Sequence, residues 1–93
     1  MNQLQLPFQR HSETSRAAAR AMYPKAGTKR AMVLTFLTIV GGATDEHGMN
    51  SLDMSANTYR PRRVELVDAG LVKDSGERRP TRSGQMAVVW IAT

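Results

Sequence analysis

The chain has 93 residues, with 13 lysines and arginines against 8 acids, a formal charge of +5, and no cysteine. That length holds one small core and argues against a two-domain enzyme with an enclosed cleft; the lack of cysteine excludes disulfides, thiolate metal sites and a cysteine nucleophile. Ten of the 13 bases are arginine, whose guanidinium fork grips two oxygens at once, so phosphate or carboxylate partners are favoured.

Residues 1 to 11 read as irregular, because Pro7 limits helix there. SETSRAAARAM predicts a short helix from about Ser12 or Thr14 to Met22, ended by Pro24 and Gly27. A second helix runs from a Thr28 cap to about Val40, with Met32, Val33, Phe36, Leu37, Ile39 and Val40 at helical spacing, and stops at Gly41 and Gly42. Thr44 caps a third, Asp45 to Leu52, whose first-turn acids suit the positive end of the helix dipole. After a turn at Asp53, Met54 and Ser55, a fourth helix capped by Ser55 extends to Ala69, with Gly70 placed to take the left-handed conformation. LVKDS and MAVVWIA (Met86 to Ala92) are strands, and SGERRPTRSG between them predicts a hairpin with a long basic tip. Trp90 alternates with Val88 and Met86, which predicts a role packed under the sheet.

Charge is uneven along this order. Residues 1 to 30 balance to +5, residues 31 to 54 to −3 and residues 55 to 93 to +3, so the C-terminal arginines concentrate on one helix and one hairpin. Two short helices joined by a tight turn, followed by a basic hairpin, form the winged helix-turn-helix arrangement. There the second helix fits the ~12 Å major groove and the hairpin reaches over the neighbouring backbone or minor groove. The expected fold class is mainly α with a small β-hairpin (α+β), divided into an arm and short helix at 1–26 and a winged helix-turn-helix domain at 27–93.

GGATDE, SANTYRPRRVELVDAGLV and DSGERRPTRSGQMAVVW together resemble small winged helix-turn-helix proteins of bacteriophages and prophages, loosely similar to the MarR-type repressors. The resemblance covers about Gly27 to Trp90. It implies a DNA-binding domain with Asn57, Thr58, Tyr59, Arg60 and Arg63 on or near the recognition helix, and Arg78, Arg79 and Arg82 on the wing. Gly48 stands where an apolar residue would usually pack and Asp53 where the turn usually has glycine, which implies a loosely held first helix of the pair.

Pro61 leaves two solutions. Inside the helix it removes a donor and costs ~3 kcal/mol; alternatively Ser55 to Tyr59 forms a separate turn and the helix begins at Pro61, which turns Arg60, Arg62 and Arg63 towards phosphate anchoring. Blander roles stand beside these. The three arginines can pair with Glu65, Asp68 or Asp74, Asn57 can form a local turn, and the spacing of Tyr59 to Leu66 favours the core over stacking on a sugar.

His11 and His47 are isolated, and no glycine-rich phosphate loop, nucleophile elbow or metal-spaced histidine pair is present, so neither an enzyme nor a cofactor or metal is expected. Ala31 to Val40 is about half the ~20 residues of a membrane span, and MNQLQLPFQR does not look like a signal peptide. The expectation is therefore a cytoplasmic, sequence-specific double-stranded-DNA-binding protein, a phage-type transcriptional regulator. Two alternatives remain: a protein-interaction or assembly module, with LQLPF and SRAAARAMY as a homodimer arm, and a DNA-binding factor in phage packaging, recombination or replication.

Overall fold

The computed structural model describes residues 23–93; the expected helix from Ser12 or Thr14 to Met22, and with it most of the 1–26 arm, lies outside the described residues. Within them the chain is α+β. Helices α1 (Lys29–Val40), α2 (Asp45–Leu52) and α3 (Ala56–Asp68) precede an antiparallel hairpin of β1 (Val72–Pro80) and β2 (Met86–Ala92).

The helix starts follow from their caps. The Thr28 hydroxyl accepts from the Ala31 amide at 3.1 Å, and the Thr44 hydroxyl accepts from the His47 amide at 3.2 Å; each satisfies one orphan donor of a first turn. α1 buries Val33, Leu34 and Leu37. These pack with Tyr59 and Leu66 of α3, and with Ala43, Met54, Leu71 and Val72, into one core.

Asp53 closes α2 in the left-handed region at φ 55°, and the Met54 amide reaches back to the Met49 carbonyl at 2.9 Å. α3 then runs unbroken through Pro61. A separate turn from Ser55 to Tyr59 is thereby overturned, since the Thr58 and Tyr59 amides already bond the Ser55 carbonyl at 3.1 and 2.9 Å. Proline is tolerated because Asn57, whose carbonyl loses its i+4 donor, is exposed to water as Pro61 is. The helix ends with the Gly70 amide on the Val67 carbonyl and the Leu71 amide on the Leu66 carbonyl, a Schellman closure.

The hairpin corrects the sequence reading. β1 does not stop at Ser75 but continues to Pro80, paired with Met86, so Arg78 and Arg79 lie in the strand and only Arg82 in the turn. The continuation is made possible by a bulge. Ser75, Gly76 and Glu77 oppose the single residue Val89, with Gly76 at φ 88° where a side chain would be strained. The Asp74 carboxylate accepts from the Gly76 amide at 2.8 Å, and the Ser75 hydroxyl from the Glu77 amide at 3.0 Å. Val72, Asp74, Arg78 and Pro80 share one face with Ala92, Trp90, Val88 and Met86. Trp90 and Ala92 pack against the core from that face, whereas Met86 at its outer end is exposed. Ala43 exchanges two hydrogen bonds with Trp90, at 3.0 and 2.9 Å, and so ties the α1–α2 connection to β2.

Candidate nucleic-acid interface

The expected DNA contacts on α3 divide by burial. Asn57, Arg60, Pro61, Val64 and Asp68 form its exposed stripe, with Thr58 half-buried. Tyr59 is a correction: at 0% exposure it is a core residue and can touch no ligand. Burial foremost, then the charge of Asp45, pushes its pKa up to about 12 against the opposing influence of Arg63. Its hydroxyl has no hydrogen-bond partner among the described residues.

Gly48 is also reassigned. A Cβ built there would overlap the Tyr59 ring, so the glycine makes room for the phenol, and α2 sits close against α3 instead of loosely.

Arg63 is the second correction. Its Nε and Nη2 donate to the two Asp45 oxygens at 3.0 and 2.6 Å, and its guanidinium lies 4.0 Å from the centroid of the Trp90 ring. With 14% of its side chain exposed, it joins α3 to α2 and the hairpin and is not free for DNA. Arg60 reaches the same carboxylate at 3.5 Å but keeps 56% of its side chain exposed. Arg62 is tied to Glu65 by Nε and Nη2 at 2.9 and 2.7 Å. Glu65 also takes Arg30 at 3.0 Å. The Arg62 hydrogen bond, with help from Arg30, holds the Glu65 carboxyl below its ordinary range. Of the surface pairings weighed from the sequence, Arg62–Glu65 is present; for Arg60 and Arg63 the partner is Asp45, which the sequence offered only as a dipole partner of α2.

On the hairpin, Arg78 donates to Asp74 at 3.0 and 3.2 Å, and Arg79 lies 3.6 Å from Glu77. The Gly76 amide first, then Arg78, lowers the Asp74 pKa. These two arginines do not act from one loop. Arg78 shares the Trp90 face, over which Arg63 of α3 lies, and Arg79 projects from the opposite face. At the turn, the Arg82 amide donates to the Glu46 carboxylate at 2.9 Å. The adjacent acids opening α2 thus hold two elements, Asp45 gripping α3 and Glu46 the hairpin tip.

One basic feature lay outside the sequence reading, which gave the N-terminal charge no role. Lys25, ahead of α1, and Lys29 and Arg30 in its first turn line a cleft of about 500 Å³ with Arg62 and Glu65 of α3. The available signal was Lys29–Arg30 directly behind a threonine cap. Lys25, Lys29, Lys73 and Arg82 make no ion pair among the described residues. His47 stands edge-on to Phe36, with ring centroids 5.4 Å apart. Among the described residues no helix is long and apolar enough to cross a membrane, and no group of three His, Asp or Glu residues could hold a metal ion.

No protein-family model matches the chain, and no curated protein matches it.

Proposed function

We propose that α2, α3 and the hairpin form a winged helix-turn-helix module that binds duplex DNA, with α3 in the major groove and the hairpin over the adjacent backbone or minor groove. The observation that carries this reading is the pairing of Asp45 with α3 and of Glu46 with the hairpin tip. It ties α3 and the hairpin turn to two adjacent residues at the start of α2, and such support is what base readout asks of the elements that carry it.

The corrected contact set is smaller than the sequence suggested. Asn57, Thr58 and Arg60 face base edges, where Asn can pair with adenine and Arg with guanine. Arg78 and Arg82 neutralise phosphates, and their exposed ion pairs or free heads exchange readily for a phosphate oxygen. Lys25 and Lys29, with Arg62 in the cleft beside α1, supply a second phosphate anchor. Tyr59 and Arg63 support the interface from beneath. In this reading the chain is a cytoplasmic, phage-type transcriptional regulator that acts by occupying its site.

A binding titration against labelled duplex at several salt concentrations, followed by selection from a random DNA pool, tests the proposal. Affinity should fall steeply with salt, with a log–log slope of about −0.9 per phosphate contacted, and the pool should yield one enriched motif. A flat salt response overturns DNA binding. Salt-dependent binding with no enrichment overturns sequence specificity.

A further inference from the structure

The side of α1 turned away from the core is apolar and uncovered by any described residue. Ile39 is 77% exposed, with Met32 and Val40 exposed beside it, and no charged residue occurs from Ala31 to Thr44. A groove of about 340 Å³ on this side is lined by Leu34, Thr35, Thr38 and Ile39 of α1 and by Tyr23 and Pro24 from the segment ahead of it. Between that segment and α1 the Thr28 amide and hydroxyl both donate to the Lys25 carbonyl, at 3.2 and 2.7 Å, and close a turn. The chain therefore reaches α1 through a turn that leaves Tyr23 on the groove. Tyr23 is the first described residue, and the residues joined to it, 1–22, lie outside the described ones.

We propose that residues 14–22 of the same chain occupy this groove, as a helix antiparallel to α1 that lays Ala18, Ala21 and Met22 against its apolar side. Connectivity selects this occupant over a free one. Residues 23–28 make a connection of ordinary length for two antiparallel helices. So short a tether holds the segment at an effective concentration of order millimolar, which a second copy or a separate apolar partner of equal fit does not reach at micromolar levels. The sequence of the segment suits the groove as well. At helical spacing Thr14, Ala18, Ala21 and Met22 fall on one side and Glu13, Arg16 and Arg20 on the other. The contact then buries no charge and leaves both arginines in water, and the alanines let the two helix axes approach to about 8 Å. A helix this short is marginal alone in water, so its order comes from the groove. The inference stands apart from DNA binding and does not require it.

The full chain has no cysteine, so the reaction of an introduced thiol with a bulky, water-soluble maleimide tests the proposal. Ile39→Cys and Thr35→Cys should each react at least about tenfold more slowly than Met86→Cys, at an exposed apolar position of the hairpin. The slowing should be the same over about a hundredfold range of protein concentration around the micromolar, because the occupant is tethered. Adding Ala18→Glu and Met22→Glu, which put charge on the docking side of the segment, should restore the rate seen at Met86→Cys. Circular dichroism checks that the variants fold, and the two reporter positions are read independently. Reaction at Ile39→Cys and Thr35→Cys as fast as at Met86→Cys means an open face and overturns the proposal. Slowing that grows with protein concentration assigns the face to a second copy and overturns it too, as does slowing that persists in the glutamate variants.

Discussion

Tyr59 and Gly48 are two halves of one contact. The phenol lies where a Cβ at Gly48 would stand, and both residues are buried. Gly48→Ala should therefore lower stability by about 1–3 kcal/mol through overpacking, even though alanine is the better helix former; a denaturant melt checks this. Tyr59→Phe keeps the ring and removes a buried hydroxyl with no partner among the described residues, so thermal stability should hold or rise near neutral pH. The same hydroxyl carries a pH dependence. Its folded pKa, about 12, lies above the ordinary 10, so the folded state favours the protonated phenol. That contribution is intact below pH 10 and is lost as pH rises through about 12, with a ceiling of about 3 kcal/mol. Melting temperature should fall more steeply between about pH 10 and 12 in the wild type than in Tyr59→Phe. Parallel curves would show that ionisation of Tyr59 does not govern alkaline unfolding.

At the scale of the element, the helices were legible where the signal is local. Thr28 and Thr44 cap as their residue types require, Gly70 follows α3 as expected, and β2 occupies the predicted Met86 to Ala92. β1 was misjudged because Gly76 and Pro80 are turn-formers in a one-dimensional reading. In the structure one sits in a bulge and the other at the strand end, and both are compatible with pairing. Arg63 was misjudged because its partner lies 18 residues away on another helix, and no spacing rule reaches that far. The Asp45–Arg63 pair yields a sharp test. Asp45→Asn leaves a largely buried guanidinium without its carboxylate and should cost about 3 kcal/mol. Glu77→Gln, at an exposed pair 3.6 Å apart, should change stability by less than about 0.5 kcal/mol. Chemical denaturation of both variants checks the contrast, and equal effects would mean that the α2–α3 clamp contributes no more than a surface pair.

For the whole molecule, counting bases overstates what a DNA backbone would meet. Arg30 and Arg62 share Glu65, Arg60 and Arg63 share Asp45, and Arg78 and Arg79 have acids on their own strand. The acid partner is part of the fold in some cases and an exchangeable neighbour in others, and exposure separates the two. Arg60 and Arg78 are about half exposed and Arg82 is exposed, whereas Arg63 is held beneath them. Arg78→Ala and Arg82→Ala should each flatten the salt slope of duplex binding by about 0.9, one phosphate contact apiece, with an unchanged melting temperature, whereas Arg60→Ala, at a base-facing residue, should relax the enriched motif at one position. Arg63→Ala should lower affinity and melting temperature together, because it acts through the support of α3. Arg79→Ala is the discriminating variant. It leaves from the hairpin face opposite Trp90, so it should change the slope little, and a loss equal to that of Arg78→Ala would mean that DNA does not lie along the face shared with α3.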